Sequence, residues 1–343
     1  MEARLIPSRG YAFLPVEAGG VYGMGWRRGL QGLWRTVRGA VQAWGEMRRR
    51  RPQAVFTTGG FVSIPAALAA AWWRIPILVY LPDIEPGLAV RILAGLAAWV
   101  AVTASEAGEA FPRRSVVVTG YPVRRALVEA ARVREEARQR GLARWGFTPE
   151  VPVVLVFGGS RGARRLNRAV ARHLEALTAE AQVLHLTGPA DLEAMQQRQA
   201  VLSPECRARY QPVAYLDEEM GEALAMADLA VCRAGASTLG ELPLFGLPAV
   251  LVPYPYVRRH QERNAAYLVR HGGAVMVPDE EIEERLGEVV RDLLRSPGRL
   301  SEMRQRMAAL ARPEAAERLA ALVMGWMKAH GSIPAGFGVG RGG

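Results

Sequence analysis

This sequence of 343 residues has two cysteines, one lysine, few aromatic residues and no long apolar segment. Cys206 and Cys232 lie far apart and lack metal-ligand spacing, which excludes a disulfide framework and favours a reduced compartment with both thiols in hydrophobic cores. Aromatic residues make up 7%, too few for the stacking platforms of single-stranded nucleic-acid binders. The chain is nevertheless half hydrophobic, and its length suits two domains of ordinary size.

Largely apolar runs are short and do not predict a membrane span. The longest cover residues 61–73 and 92–104, 13 residues each, whereas a spanning helix takes about 20 residues. Positive charge is concentrated in residues 1–150, which have 21 basic and 11 acidic side chains (net +10), against 23 and 22 (net +1) in residues 151–343. This asymmetry indicates an anionic partner surface. The run Arg48–Arg51 resembles a nucleic-acid patch, but no nucleic-acid motif accompanies it, so we expect an anionic membrane surface and no nucleic acid.

One segment of the basic half has an apolar face at helical spacing. Its members are Leu30, Leu33, Trp34, Val37, Val41 and Trp44, with Arg35, Arg38 and Arg48 elsewhere on the helix. The pattern predicts either a helix lying on a membrane interface or a helix packed on a sheet with exposed arginines. Both interpretations hold in part if a covering helix ends in a basic rim.

Short β-branched runs alternate with helical stretches. Strands are predicted near 53–58, 76–81, 98–103 and 115–119, and again near 152–157, 181–186, 209–214, 228–232, 248–252 and 274–277. The alternation predicts the α/β class with parallel sheets, and the two series predict two domains. We expect a first domain at 1–124, a linker at 125–149, a second domain at 150–312, a helix at 313–329 and a disordered tail at 330–343. Ala316, Leu319, Val323 and Trp326 form the apolar face of that helix.

Two strand-to-helix turns of the second domain predict binding of an anionic ligand. The first runs from Gly158 to Ala163 between an apolar strand and a helix. Glycines let the backbone approach a ligand closely, and a helix N-terminus attracts anions. The second runs from Arg233 to Thr238 and precedes a helix that contains Glu241, a carboxylate suited to a ribose diol. The alternatives are a tight turn without a ligand and a glutamate that only complements the helix dipole.

Further polar loops follow other predicted strands. They are Thr58–Phe61, Leu81–Gly87, Gly120–Arg124 and the stretch after Pro253, in which Gln261 and Asn264 share a helical face. Open α/β sheets bind ligands at the carboxyl ends of their strands. We therefore expect the loops of both domains to face a shared cleft.

Together these motifs resemble glycosyltransferase family 28. The resemblance covers about residues 1–328 and rests on TGGFVSIPAALAA, GYPVR, FGGSRGARRLN, CRAGASTLGEL, GLPAVLVPYP and HQERNA, in this order. It implies the GT-B fold, in which two Rossmann-like domains face a cleft and the last helix crosses back to the first domain. The implied reaction is inverting transfer of N-acetylglucosamine from UDP-GlcNAc to lipid I. That reaction belongs to peptidoglycan synthesis at the cytoplasmic face of the membrane, and it implies no cofactor and no metal.

The resemblance also implies a set of donor-site residues. The donor-binding residues are Arg124, Ser160, Leu216, Ala236, Ser237, Thr238, Leu239, Gly240, Glu241, Gln261 and Asn264, and the phosphate-cradle glycines are Gly158, Gly159, Gly162 and Gly235. In this assignment Leu216 lies beside the uracil, Glu241 contacts the ribose and Gln261 contacts the sugar.

Two departures from the family pattern affect the expected chemistry. The family begins with a strand and a GGTGGH loop whose histidine is proposed as the base. This chain lacks that loop, and a start codon assigned too far downstream is the expected explanation. Where the family has His-Glu-Gln-Asn, this chain has Tyr80-Leu81-Pro82-Asp83. Asp83 is thus the candidate base, unless it points elsewhere or the substrate differs. The alternatives are a family 28 enzyme with another glycolipid acceptor and a nucleotide-sugar-binding protein without turnover.

Overall fold

The computed structural model describes residues 2–17, 26–159, 164–255 and 260–330. The chain forms two compact units. One contains Met1–Pro82, Pro86–Val118 and Glu317–Gly343, and the other contains Asp83–Glu85 and Thr119–Ala316. Each unit has a parallel sheet, so the predicted α/β class with two parallel-sheet units is confirmed. The expected tail lies outside the described residues from position 331 onward.

The first unit contains the first four strands and, before residue 119, the five helices α1 to α5. They are α1 Glu2–Ser8, α2 Trp26–Arg50, β1 Val55–Thr57, α3 Ile64–Trp72, β2 Ile77–Leu81, α4 Leu88–Leu96, β3 Trp99–Val102, α5 Ser105–Gly108 and β4 Val116–Val118. The sheet order is β1-β2-β3-β4, with β1 at one edge. Alternate residues of β2 face opposite sides of the sheet. Val79 packs with Leu93 of α4 on one side, and Tyr80 lies on the other.

The second unit contains the other six strands. Its elements are α6 Arg125–Arg132, α7 Arg134–Trp145, β5 Val153–Phe157, α8 Arg164–Thr178, β6 Gln182–Leu186, α9 Leu192–Ala200, α10 Pro204–Ala208, β7 Tyr210–Val213, α11 Met220–Met226, β8 Leu229–Cys232, α12 Thr238–Leu244, β9 Ala249–Leu251, α13 His260–Arg270, β10 Ala274–Met276, α14 Ile282–Leu294 and α15 Pro297–Ala309. The sheet order is β10-β9-β8-β5-β6-β7. Strands β5 and β8 are fully buried, as expected for central strands covered on both faces.

The segment 125–149, predicted as a linker, lies within the second unit. Its helices α6 and α7 pack against α11, where a side chain on Gly221 would approach Ala130 to 2.7 Å and one on Gly141 would approach the Glu222 carbonyl to 2.9 Å. Arg140 and Arg144 of α7 both bind the carboxylate of Glu222. Close backbone packing and these ion pairs hold α6 and α7 on α11.

The last described helix is α16, Ala315–His330. Leu319 packs in the first unit against Leu78, Tyr80 and Ala101, with Leu322 and Val323 beside it. The predicted apolar face is therefore wrong by one position at its start, because Ala315 is buried and Ala316 is exposed. The periodicity of the sequence could not show which of the two adjacent alanines is buried, because that depends on how the helix packs.

Helix α2 lies on α3 with small residues inward and large apolar residues outward. Ala43 is buried and Gly39 is covered by Val16 and Glu17, whereas Trp34 is 65% and Val41 66% exposed. The side chains of Leu30 and Leu33 lie outside the described residues. In the part of the chain that the structure describes, no helix is both long and apolar enough to cross a membrane. The helix thus covers α3, and part of its apolar surface remains in contact with solvent.

Candidate functional site

The second sheet has a topological switch point between β5 and β8. From β5 the chain continues outward through β6 and β7 on one side, and then returns through β8 to β9 and β10 on the other. Loops that leave two adjacent strands in opposite directions open a crevice at the carboxyl ends of those strands. The glycine turn after β5 and the turn after β8 both begin here. The topology therefore brings the two sequence motifs side by side.

A cavity of about 390 Å³ opens at this switch point. It is lined by Arg124, Phe157, Gly158, Gly159, Leu186, Gly188, Pro189, Ala214, Tyr215, Leu216, Met220, Arg233, Gly235, Ser237, Thr238, Glu241 and Gln261. Gly159 has a φ of 92°, a conformation that side-chain-bearing residues rarely adopt. A side chain on Gly235 would meet no atom within 4 Å. This glycine is therefore not needed for packing, and it leaves open space at the turn for a ligand.

Nine of the residues predicted for the donor site line this cavity. They are Arg124, Gly158, Gly159, Leu216, Gly235, Ser237, Thr238, Glu241 and Gln261. Asp83, Ala236, Leu239, Gly240 and Asn264 are not among the lining residues. Ser160 and Gly162 lie outside the described residues. The role of each residue in donor binding stays a prediction.

Close packing against the turn before α6 leaves room only for a glycine at position 240. A side chain at this position would approach the ring of Tyr121 and the methyl group of Val123 to 2.8 Å each. The glycine therefore lets α12 press against the GYPVR segment. This contact holds Arg124, two residues after Pro122, at the mouth of the cavity.

Several lining residues were missed because they carry little chemistry of their own. Leu186 is the last residue of β6, Gly188 and Pro189 follow it, and Ala214 and Tyr215 follow β7. Only their position could have indicated them: each lies at or just after the end of a predicted strand, at the sheet end where ligands bind. Gly188 also has a φ of 77°, which marks a tight turn there.

Arg233 begins the predicted ligand turn but was not among the predicted donor-site residues. Its side chain is 8% exposed and binds the carboxylate of Asp279, and its guanidinium lies 5.5 Å from the ring centre of Tyr254. A buried guanidinium needs such a partner because an unpaired buried charge is costly. The partners lie 46 and 21 residues away in the chain, so neither was visible as a local motif.

Glu241 and Arg124 are charged residues of the cavity wall, together with Arg233. Burial raises the pKa of the Glu241 carboxyl, and the nearby charge of Arg124 and a hydrogen bond from Ser237 oppose that rise. Arg124 itself donates to Asp217 at 2.9 Å. Both side chains of that pair are more than half exposed, so the pair contributes little stability. Arg124 can therefore exchange Asp217 for an anionic ligand at small cost.

Asn264 and Asp83 form a buried cross-link beside the cavity. Asn264 donates its amide hydrogens to Asp83 Oδ1 at 2.8 Å and to the Ala234 carbonyl at 3.2 Å. Its own oxygen accepts the Ile84 amide at 3.0 Å. Burial raises the pKa of Tyr121, and the charges of Glu241 and Asp83 raise it further. Asp83 thus lies within electrostatic range of Tyr121, which packs against α12, and does not itself line the cavity.

A larger open depression, of about 1000 Å³, lies between α8 and α9. Its lining includes Arg168, Arg172, Glu175, Met195 and Val201. It contains no glycine turn and none of the residues predicted for the site, and it is away from the carboxyl ends of the strands. The smaller cavity at the switch point is therefore the candidate site.

Comparison with known proteins assigns the chain to a family. Residues 153–319 match the glycosyltransferase family 28 C-terminal domain, and residues 1–102 match the glycosyltransferase family 28 N-terminal domain. The chain belongs to glycosyltransferase family 28. The matched C-terminal domain includes β5 to β10 and so contains the whole described wall of the cavity except Arg124.

Relatives within family 28 span nearly the whole chain. The UDP-N-acetylglucosamine–N-acetylmuramyl-(pentapeptide) pyrophosphoryl-undecaprenol N-acetylglucosamine transferases of Roseiflexus sp. (strain RS-1) and Moorella thermoacetica are each 38% identical, over 94% of this chain and over 81% and 87% of their own lengths. The crystal structure of Acinetobacter baumannii MurG is 26% identical with a TM-score of 0.74, covering 95% of this chain and 88% of that one. The predicted resemblance to family 28 and the predicted GT-B fold class are therefore confirmed.

Proposed function

We propose that this family 28 chain transfers N-acetylglucosamine from UDP-GlcNAc to lipid I, the undecaprenyl-diphospho-linked acceptor of peptidoglycan synthesis. The observation that carries the proposal is the cavity between β5 and β8, which joins a glycine turn to a buried carboxylate. The names of the relatives supply the sugar donor and the acceptor. A nucleoside diphosphate sugar needs an anion-binding turn for its diphosphate and a hydrogen-bond acceptor for its ribose hydroxyls, and the glycine turn and Glu241 are the candidates for these two roles.

In the proposed complex each part of the donor has its own protein partner. The diphosphate lies at Gly158 and Gly159, close to the start of α8, where backbone N–H groups and the helix dipole favour negative charge. Arg124 leaves Asp217 and binds the diphosphate. Glu241 accepts hydrogen bonds from the ribose hydroxyls, and Leu216 packs on the uracil. Gln261, whose Oε1 accepts the Tyr254 amide at 2.9 Å, is oriented toward the sugar by that bond.

The proposed reaction is a single displacement at the anomeric carbon. The acceptor hydroxyl oxygen forms a bond to this carbon while the bond to the diphosphate oxygen breaks, and UDP leaves. The hydroxyl proton passes to a base, for which we propose Asp83. The leaving diphosphate gains negative charge, and Arg124 and the helix N-terminus stabilise that charge as it develops.

A transfer assay tests this function directly. Purified protein, UDP-GlcNAc and a lipid I analogue in detergent should yield free UDP and a disaccharide-linked product in equal amounts, measured by mass spectrometry. UDP-glucose, which lacks the N-acetyl group, serves as the donor control. Product from another glycolipid, with none from lipid I, would instead support a different acceptor. UDP-GlcNAc binding without release of UDP would support a binding protein.

We also propose that the first unit contacts an anionic membrane through α2 and α3, so that the enzyme is peripheral to the cytoplasmic face. An apolar groove of about 450 Å³ lies between these helices and includes Val37, Val41, Trp44, Leu68 and Trp72. Trp72 is 75% exposed. Exposed aromatic and aliphatic side chains gain free energy by entering the boundary between head groups and acyl chains.

Arginines border this apolar groove. Arg48 lies over the ring of Trp44 at 5.9 Å. Arg38, elsewhere on α2, is more than half exposed and pairs with Glu17 at 3.5 Å. Arg49 and Arg50 share one carboxylate, that of Glu46, so the end of α2 keeps a net positive charge. Cations near an anionic leaflet add an attraction that falls with ionic strength.

Replacing Val41 with aspartate should weaken binding to phosphatidylglycerol vesicles by about tenfold, about 1.4 kcal/mol. The reason is that a carboxylate in the groove resists burial and is repelled by the anionic leaflet. Co-sedimentation at low and high salt measures the effect. The matched control is Val201→Asp, which places the same change at a valine that is 76% exposed in the second unit. If Val41→Asp and Val201→Asp lost vesicle binding equally, the result would contradict the proposed membrane-binding surface.

A further inference from the structure

A chain of buried hydrogen bonds lies behind the cavity in the second unit. His185, in β6, bonds through Nδ1 to the Tyr210 hydroxyl at 2.8 Å and through Nε2 to Asn167 Oδ1 at 3.0 Å. Asn167 donates to the Thr187 carbonyl at 2.8 Å and to Asp191 Oδ2 at 2.7 Å. His185, Asn167 and Tyr210 are at most 1% exposed, and none of them lines the cavity.

These bonds determine one tautomer of His185. Both amide hydrogens of Asn167 are donated to oxygen atoms, so the opposite orientation of the amide would place oxygen against oxygen. Asn167 Oδ1 is therefore only an acceptor, and His185 Nε2 carries the proton that it accepts. Nδ1 then has no hydrogen and accepts the hydroxyl proton of Tyr210. Burial lowers the pKa of His185 to about 3, so the ring stays neutral and this pattern persists at physiological pH.

The network joins α8 to one wall of the cavity. Asn167 lies in the first turns of α8, the helix that follows the glycine turn containing Gly158 and Gly159. Its two acceptors belong to the turn after β6, which includes the lining residues Gly188 and Pro189. The Thr187 and Gly188 amides donate to Val213 and Ala214 at 2.9 and 3.1 Å. Through Ala214, the network also reaches the loop after β7.

We propose that His185 and Tyr210 are positioning residues for the nucleotide site. Together with the two hydrogen bonds that Asn167 donates, they hold α8, the helix after the glycine turn, in a fixed position relative to the turn after β6. This inference rests on the proposed function, because it assumes that the two turns bind the UDP portion of the donor. Preorganised walls bind a ligand more tightly than walls that must be ordered on binding.

Three variants separate the steps of this argument. His185→Leu removes the donor to Asn167 and should raise the Kd for UDP by about tenfold, the effect of losing one oriented buried hydrogen bond. Tyr210→Phe removes the hydrogen bond to His185 Nδ1, which helps to hold the ring in place, and should raise the Kd by about threefold. His185→Gln keeps an N–H donor toward Asn167 and should restore most of the affinity. For His185→Leu, the KM for UDP-GlcNAc should rise while kcat at saturating donor stays within about twofold.

The matched control is Thr178→Val, at the other end of α8. Thr178 is also fully buried, and its hydroxyl bonds to the Leu174 carbonyl at 2.8 Å. This variant loses a buried hydrogen bond in the same helix and should leave the UDP affinity unchanged. Equal Kd values for His185→Leu and Thr178→Val, at similar losses in melting temperature, would overturn the proposal.

Amide hydrogen exchange of the ligand-free proteins provides a readout that does not depend on the proposed function. His185→Leu should speed exchange in residues 157–159 and 186–188 relative to both the parent protein and Thr178→Val. If the parent protein does not bind UDP, the proposed function fails, and the exchange rates still decide whether His185 orders the two turns. Unchanged exchange in both segments would overturn the positioning role even if UDP binds.

Discussion

Replacing Asp83 with asparagine should lower kcat for sugar transfer by about 10²–10⁴-fold, the usual contribution of a general base. The amide oxygen of the new side chain can still accept the hydrogen bond from Asn264, so the cross-link to Ile84 and Ala234 is retained. Only the ability to take a proton from the acceptor hydroxyl is lost. Steady-state kinetics with UDP-GlcNAc and a lipid I analogue measure the change.

The UDP affinity of this variant should stay within about twofold of the parent value, because Asp83 does not line the cavity and its charge is partly screened by solvent. The matched control is Glu85→Gln, two residues along the same segment. Glu85 pairs with Arg263 at 3.2 Å, and loss of that exposed pair should leave kcat nearly unchanged. Transfer by Asp83→Asn at the parent rate would remove Asp83 as the base, and the proton acceptor would have to be another group.

Replacing Glu241 with alanine should weaken UDP binding by about 1.5–3 kcal/mol, the size of a lost hydrogen bond to a charged group. The Kd would then rise by roughly 10- to 150-fold, measured by calorimetry. The matched control is Glu284→Ala, because Glu284 is likewise in the first turn of its helix, α14, but is exposed and away from the cavity. The control also separates ribose recognition from a plain helix-dipole effect. Unchanged UDP affinity in Glu241→Ala would exclude this residue from the site.

The ionisation of Glu241 should make binding of the donor nucleotide depend on pH. Burial raises the pKa of Glu241 above its usual 4.5, and only the ionised form accepts hydrogen bonds at both oxygens. Affinity for UDP-GlcNAc, whose diphosphate has no group that titrates in this range, should therefore fall as the pH decreases through that raised value, and it should recover at neutral pH. Glu241→Gln has no proton to gain, so its affinity should be weak but independent of pH over this range. If the affinity of the parent protein and that of Glu241→Gln fell equally as the pH decreased, the group that titrates would be one other than Glu241.

In the second sheet, local sequence patterns predicted the strands but not the order of the strands. All of its strands were predicted, because short β-branched runs between amphipathic helices specify a buried parallel sheet. The glycine turn after β5 and the turn containing Gly235 were predicted as ligand loops for the same local reason. The order of the strands was not visible, and that order makes β5 and β8 neighbours and brings the two turns together.

The hydrogen-bond partners of Asn264 could not be predicted from the sequence. Its spacing from Gln261 indicated a shared helical face toward the ligand, and the structure instead shows all three of its bonding groups on Asp83, Ile84 and Ala234. Asp83 lies 181 residues away. Hydrophobic periodicity describes which face of a helix is buried, and it cannot identify the polar partner that will satisfy a buried amide.

Sequence alone determined the class of fold, the position of the strands and the glycine turns of this protein, because each of these depends on interactions between residues close in the chain. Tertiary structure decided which strands are adjacent, which residues of α2 stay exposed, and how His185, Asn167 and Tyr210 share their hydrogen bonds. These features depend on contacts between residues that are distant in sequence. Buried side chains and hydrogen-bonding groups acquire their partners only when the chain has packed.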